Sequence, residues 1–422
     1  MPDTDRDLTR TYEQVRLAWE QRPVHVPAPW SRPFASEALV MDALRAAADR
    51  MRRDGMGTQR MRCFVETMQV EADVGDLLPQ RGEDLGGYHA RAKARVGGRG
   101  FALIADELDH VSRPLWLAAT ELVGPIVAGT SPRHSSIGVF LGDGRFTGFG
   151  LHRDPHSTLM VVVRGRKRLR LWPGDGVLEA ALVAHGRSTR YEALLDDSIV
   201  IDAQEGDLVY WPSSYHHVAE NPEGTLSLTV NLAFGSEQVT PQLLWRHYRQ
   251  QWFRRVGELE EPSCTRDGRV DLEAIEAACT AIEAVVPDPR AARQAVRRSL
   301  AVELLRLETA LGFGAPPLVD GVELGDDAVV RCVPGRPIRV EQLREAGLVV
   351  AAQGHVLELR DEPRIAALLE GVRGDRPRRV DGLVDAAQRA PGAAERGELL
   401  ELLHALARIG AVQVVERTGD ER

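Results

Sequence analysis

The sequence predicts an α+β protein, with an antiparallel β sandwich or barrel at its centre and helices before and after it. Two observations carry this. Short β-rich runs punctuated by glycine and proline follow one another between about Ser135 and Phe234, which is the pattern of a sandwich or barrel. On both sides the apolar residues recur at three- and four-residue spacing, the period of amphipathic helices. A chain of 422 residues exceeds the size of one hydrophobic core, and at about 150 residues per domain it predicts two or three units.

Along the chain, SEALVMDALRAAADRMRRDG (36–55) reads as a helix, and the glycine-rich GEDLGGYHARAKARVGGRG (82–100) as loop. The β-rich runs are SIGVFL, TLMVVVRG, KRLRLWP, SIVIDA, DLVYWP, HHVAE and TLSLTVNLAF. After Phe234 the strands stop. LLWRHYRQQWFRRVGELEE (243–261), VDLEAIEAACTAIEAVV (270–286) and AARQAVRRSLAVELLRLETALG (291–312) are expected to form a small helical bundle or a homodimerisation element.

From about Pro316 the style changes again. Helices, among them RVEQLREAG, RIAALLEGV, RRVDGLVDAAQ and ELLELLHALARIG, alternate with short strands in LVVAAQGHVLELRD and AVQVVER. A last helix ending at Gly410 and followed by an apolar β run is the pattern of a winged helix. Such a unit could bind DNA or serve as a packing or protein-interaction module. Asp375, Asp381 and Asp385 interleave with Arg373, Arg376, Arg378 and Arg379, which favours the second. The expected divisions are therefore a helical N-terminal region at 1–105, a β core at 106–236, a helical linker or dimerisation region at 237–315 and a winged-helix-like unit at 316–422.

The formal net charge of −9 disfavours nucleic acid as a partner and suits a basic polypeptide. No segment reads as a bilayer span, and the N-terminus lacks the continuous apolar stretch of a secretory signal, so a cytoplasmic location is expected. Cys63, Cys264, Cys279 and Cys332 form no CxxC pair and read as ordinary thiols.

The chemistry concentrates in GFGLHRDPHSTLMVVVRGRKRLRLWP (148–173). His152 and Asp154 are separated by one residue, so on a strand both project to the same side and offer two adjacent ligand positions. Further on, GDLVYWPSSYHHVAEN (206–221) brings the pair His216-His217. One of these would complete a two-histidine, one-carboxylate facial triad, which leaves positions open on Fe(II). Lys167 shares a strand face with Gly165 and Leu169, whereas Arg166, Arg168 and Arg170 lie on the other. His156 and His185 read as ordinary satisfied polar residues.

These linked motifs resemble the JmjC, or cupin-like, family of 2-oxoglutarate oxygenases, in particular its protein hydroxylases such as the ribosomal oxygenases and asparaginyl hydroxylases. The residues that carry the resemblance are GFGLHRD (148–154), GRKR (165–168), GDLVYWP (206–212) and the SSYHHV that follows. The resemblance covers about residues 130–236 and implies a double-stranded β-helix (jelly-roll, cupin) core, with the N-terminal loops on the substrate side. It implies His152 and Asp154 as the first two iron ligands. For the third, the loop spacing after Pro212 points to His217 and counting back from Asn231 points to His216; the proline spacing makes His217 the preferred ligand. Lys167 matches the residue that receives the distal carboxylate of 2-oxoglutarate, while Thr158 and Asn231 match polar residues that assist co-substrate binding.

The implied activity is an Fe(II)-, 2-oxoglutarate- and O2-dependent hydroxylation of a protein or peptide side chain, with release of succinate and CO2. A ribosomal protein or a ribosomally made precursor peptide would suit as substrate. Lysine demethylation within the same family, a cupin ligand sensor with a DNA-binding winged helix, and a metal-dependent isomerase or lyase remain the alternatives.

Overall fold

The computed structural model describes residues 4–30, 32–54, 61–70, 74–128, 134–145, 149–174, 191–235, 289–343, 347–374 and 376–415. The N-terminal part runs α1 (Thr4–Ala18), β1 (Val24–Val26), α2 (Glu37–Asp54), β2 (Met61–Val65), β3 (Met68–Val70), α3 (Leu85–Arg95), β4 (Phe101–Ala105) and α4 (Arg113–Val127). The stretch 82–100, read from sequence as loop, instead carries helix α3: the Asp84 carboxylate accepts from Gly87 N at its head, as Ser112 Oγ accepts from Leu115 N at the head of α4, each satisfying a backbone N–H that the first turn leaves open.

The central part contributes β5 (Ser135–Gly142), β6 (His156–Arg164), β7 (Arg166–Pro173), β8 (Ile199–Gln204), β9 (Leu208–Trp211), β10 (Tyr215–Glu220) and β11 (Ser227–Gly235). Every β-rich run read in this part of the sequence is a strand. They build two antiparallel sheets, one of eight strands in the order β1-β9-β6-β11-β5-β4-β2-β3 and one of three in the order β10-β7-β8. A bridge between His152 and His217 extends the smaller sheet past β10. The segment 61–105, read from sequence as helix and loop, instead supplies β2, β3 and β4 to the large sheet. Glycine-rich flanks hide these strands from periodicity, and pairing with β5 decides their state.

Alternation along the strands divides the interior. Leu228, Val230, Leu232 and Phe234 of β11, with Leu159 and Val161 of β6, pack on the helices in the main core. Met160, Val162, Leu169, Leu171, Ile201, Ala203, Val209 and Trp211 fill the space between the sheets. This period of two directs Thr158, Lys167, Thr229 and Asn231 to the inter-sheet side.

After the central part come α5 (Pro289–Thr309), β12 (Val329–Cys332), β13 (Arg339–Leu343), β14 (Gly347–Ala352), β15 (His355–Leu359), α6 (Pro363–Arg373), β16 (Arg378–Arg379), α7 (Val380–Gln388), α8 (Arg396–Arg408) and β17 (Val412–Val414). The helices read at 243–261 and 270–286, together with Cys264, Cys279 and His185, lie outside the described residues; α5 falls in the third helical run. RVEQLREAG is not a helix: Arg339–Leu343 pairs antiparallel with β14, where tertiary pairing overrides a short helical pattern. Helices α6, α7 and α8 and strands β12, β14 and β17 enclose a separate core that includes Val330, Val350, Leu368, Leu383 and Leu403. Among the described residues no helix is long and apolar enough to cross a membrane.

Candidate active site

A cavity of about 450 Å3 opens between the two sheets of the central part. His152 enters it from the strand-like segment beside β10. Its Nδ1 donates to the Gly150 carbonyl at 2.9 Å, since a carbonyl can only accept, which orients the ring with Nε2 toward Asp154. Asp154, two residues on, points the same way, with Oδ1 3.8 Å from His152 Nε2.

His217 enters from β10, its Nε2 3.5 Å from Asp154 Oδ2, and its ring centroid lies 4.3 Å from that of His152. One donor atom from each of His152, Asp154 and His217 falls within 4.8 Å of the others. Burial and the neighbouring His152 push the His217 pKa down to about 3, so the imidazole is neutral and available as a ligand. His216 faces the other way. It is opposite Trp172 in the register, on the side of β10 that packs Val218 against Leu151, Trp172 and Tyr191. His156, read from sequence as a plain polar residue, lies at the cavity wall with Nε2 3.5 Å from Asp154 Oδ2.

Lys167 stands on β7 and is 4% exposed. Its Nζ donates to Asn221 Oδ1 at 2.8 Å, and burial lowers its pKa from 10.5 to about 8. Among the described residues no carboxylate pairs with it. The neighbouring arginines face outward instead, Arg168 onto Asp202 at 2.7 Å and Arg170 onto Glu220 at 3.0 Å. Thr158 on β6 and Asn231 on β11 line the same cavity, and Thr158 Oγ1, Thr229 Oγ1 and Asn231 Oδ1 are buried without a hydrogen-bond partner. Buried polar atoms normally find partners, so these three oxygens, which share the cavity with the likewise unpartnered Arg62 Nε, Trp211 Nε1 and His217 Nδ1, mark a place for a polar ligand. The six candidates His152, Asp154, His217, Lys167, Thr158 and Asn231 are thus brought to one cavity.

Sequence reasoning missed several lining residues. Thr229 shares a face with Asn231 two positions on, a signal that strand alternation alone could have used. Trp211, whose ring lies 5.2 Å from His217, and Phe140 give the cavity apolar walls. At the mouth, Arg62 pairs with Asp106 at 2.6 Å and lies over the Phe149 ring at 4.9 Å; no local motif announces these contacts.

The framework that holds the ligand-bearing strands explains the Gly-Asp pair ahead of β9. Gly206 adopts a left-handed φ of +91°, and the buried Asp207 carboxylate accepts from Gln204 N at 3.1 Å, Ala28 N at 3.1 Å and His25 Nε2 at 2.8 Å. Glu20, just beyond α1, accepts from Ser157 Oγ at 2.9 Å, and Ser157 Oγ in turn accepts from Ser213 N at 3.0 Å. The N-terminal segment therefore ties down the loop that leads to His217.

Residues 127–239 match the JmjC domain family. That stretch, which holds His152, Asp154, Lys167 and His217, is similar to a JmjC domain. Around it, similarity to known structures is distant. A structure of the Escherichia coli ribosomal oxygenase YcfD is 12% identical, with 95% of this chain and 97% of that chain covered and a TM-score of 0.46. A second crystal structure of that protein gives 13%, 94%, 96% and 0.47, and its complex with cobalt and 2-oxoglutarate gives 12%, 96%, 98% and 0.46. No curated protein sequence matches the chain.

A JmjC domain works with Fe(II), 2-oxoglutarate and O2, and the residues present fit that set. Two imidazoles and a carboxylate group make a donor set suited to Fe(II) with open positions. A buried cation without a carboxylate partner among the described residues, and two orphaned threonine hydroxyls that can donate, suit a dicarboxylate co-substrate.

Proposed function

We propose that this chain is an Fe(II)- and 2-oxoglutarate-dependent oxygenase that hydroxylates a side chain of a protein or peptide. The observation that carries the reading is a single cavity in which a two-histidine, one-carboxylate cluster faces a buried lysine that no carboxylate neutralises. His152, Asp154 and His217 would hold the metal. Lys167 would receive the distal carboxylate of 2-oxoglutarate, and Thr158 and Asn231, with Thr229, would supply hydrogen bonds to the co-substrate. Bound there, metal and co-substrate supply the oxidising power, with O2 and 2-oxoglutarate consumed and succinate and CO2 released.

The polypeptide's role is to orient and shield. Trp211, Met160, Leu169 and Ala219 keep the cavity walls apolar, which strengthens the Lys167 contact by excluding water. The open mouth between Arg62, Asp106, Glu107 and Phe149 suits an extended polypeptide rather than a small molecule enclosed on all sides. A ribosomal protein or a ribosomally made precursor peptide would be the substrate, and a cytoplasmic location follows from a substrate made on ribosomes.

The remaining parts of the chain enter this reading as scaffolding. We carry forward the divisions 1–105, 106–236, 237–315 and 316–422, with the first two sharing one core. The last is taken as a winged-helix-like packing or protein-interaction module: α6 to α8 with the three-stranded sheet β16-β12-β17 support it. Two of its arginines are engaged by acids, Arg379 with Asp381 at 2.7 Å and Arg396 with Asp326 at 2.9 Å, which supports the non-DNA role. A homodimer through the 237–315 region belongs to the same reading.

The test is an anaerobic Fe(II) titration with 2-oxoglutarate that follows the visible metal-to-ligand charge-transfer band. Wild type gives the band, His152→Ala and His217→Ala lose it, and Lys167→Ala needs at least about tenfold more 2-oxoglutarate, as expected when a charge-assisted contact is removed. A band that survives His217→Ala and vanishes in His216→Ala would reassign the third ligand. No band in wild type would sink the oxygenase reading.

A further inference from the structure

The lysine of the cavity is held by the last residue of the stretch GDLVYWPSSYHHVAEN (206–221), one to which no motif assigns a role. Asn221 follows β10 and is 3% exposed, and both atoms of its side-chain amide are fully used. Oδ1 accepts from Lys167 Nζ at 2.8 Å and from Ser227 Oγ at 2.7 Å. Nδ2 donates to the Gly142 carbonyl at 2.9 Å and the Gly144 carbonyl at 3.0 Å. Two donors on one side and two carbonyls on the other fix the orientation of the amide, since a flipped group would set oxygen against oxygen. Its backbone is held as well: Asn221 N donates to the Arg145 carbonyl at 3.2 Å, and Gly224 N donates to the Asn221 carbonyl at 3.2 Å.

The carbonyls that receive the amide are themselves fixed. Asp143 lies between them and is 5% exposed; its Oδ1 accepts from Phe101 N at 2.9 Å and its Oδ2 contacts His89 Nε2 at 2.9 Å. Gly142 packs so closely on β4 that an added Cβ would sit 2.3 Å from the Phe101 carbonyl. The chain of contacts therefore runs from a rigid β4–β5 corner through one amide to the ammonium group of Lys167.

We propose that Asn221 is a positioning residue for the anionic end of the co-substrate, acting through Lys167. The inference rests on the oxygenase reading above. A neutral amide oxygen holds Nζ in one place and leaves its charge uncompensated, so the site demands an anion from the ligand. A carboxylate at the same position would satisfy Lys167 internally and compete with the co-substrate for it.

The experiment compares 2-oxoglutarate with 2-oxovalerate, the keto acid of the same length that ends in a methyl group, by anaerobic titration of the Fe(II) protein. Wild type, Asn221→Ala, Asn221→Asp and Ser227→Ala are measured, with thermal melting to identify folded variants. Asn221→Ala is expected to weaken 2-oxoglutarate about tenfold, the usual effect of losing a hydrogen bond that orders a charged group, with 2-oxovalerate binding unchanged. Asn221→Asp weakens 2-oxoglutarate further, again with 2-oxovalerate spared. Ser227→Ala keeps Asn221 and removes one of its four contacts, so it shows a smaller loss of the same selectivity and keeps the question answerable if the Asn221 variants do not fold. Equal losses for both keto acids, or an unchanged preference for 2-oxoglutarate in every folded variant, overturn the proposal. If wild type gives no band with either acid, the oxygenase reading itself has failed.

Discussion

At the scale of single residues, the cavity depends on a charge that burial makes expensive. Lys167 is nearly inaccessible, and burial lowers its pKa from 10.5 to about 8; its ammonium group donates to the neutral Asn221 amide. The charged form binds a carboxylate more tightly than the neutral form does, so 2-oxoglutarate affinity should be flat below about pH 8 and fall above it toward that of Lys167→Ala. Isothermal titration in buffers of different ionisation enthalpy checks this, with proton uptake on binding near pH 8; an affinity independent of pH from 7 to 9.5 would show that Lys167 does not take the anion. Stability responds with the opposite sign. The folded pKa lies below the unfolded one, so between about pH 8 and 10.5 the unfolded chain binds the extra proton and this residue's contribution to stability rises with pH.

Residues also show how far the sequence could be read. Period-two spacing joins His152 to Asp154, and strand alternation separates Lys167 from its flanking arginines; both patterns are local. Loop counting and counting back from Asn231 disagree over the histidine pair, and only the packing of Val218 and Trp172 tells the two faces of β10 apart. Asn221 closes the stretch 206–221, but its role is not local, because its four side-chain partners are Lys167, Ser227, Gly142 and Gly144, brought together from three strand ends.

At the scale of elements, the turn between β6 and β7 sets the height of Lys167 in the cavity. Gly165 adopts φ +79°, and a Cβ there would sit 2.0 Å from the Leu226 carbonyl. Gly165→Ala therefore meets both a left-handed backbone and a main-chain clash. It should cost about 2 kcal/mol or more, seen as a lower urea midpoint with an unchanged slope, and should weaken 2-oxoglutarate as β7 shifts. Stability unchanged within about 0.5 kcal/mol would mean that the turn relaxes freely. The N-terminal strap makes a comparable case. Asp207→Ala strands the backbone N–H groups of Ala28 and Gln204 that its carboxylate now satisfies, with an expected loss of about 2–4 kcal/mol by equilibrium unfolding. Neither the strap nor strands β2 to β4 could be read locally, since their places depend on partners far along the chain, as His25 depends on Asp207.

At the scale of the whole molecule, two apolar cores are joined by a largely polar seam. The main core runs from Val15 to Phe313, and the C-terminal core from Leu324 to Val412. Strand β14 serves both neighbours: Leu348, Val350 and Ala352 face the C-terminal core, and Val349 and Ala351 pack on Leu305 of α5. Across the seam, Trp116 Nε1 donates to the Gly314 carbonyl at 2.9 Å, and the Arg336 guanidinium covers the Trp116 ring at 4.9 Å. Arg113 donates to the Pro317 carbonyl at 3.1 Å and to the Gln353 side chain. Burial lowers the pKa of both arginines, with Glu121 partly opposing it at Arg336, and removing one leaves buried acceptors unsatisfied. Arg113→Ala should therefore uncouple the two cores. Scanning calorimetry of the wild type is expected to give closely overlapping transitions, and of the variant a separated, earlier transition for the C-terminal core, lowered by about 4–8 °C for each kcal/mol of lost coupling. A variant that melts as one unit at the wild-type temperature would show that the apolar contact of β14 with α5 carries the coupling alone.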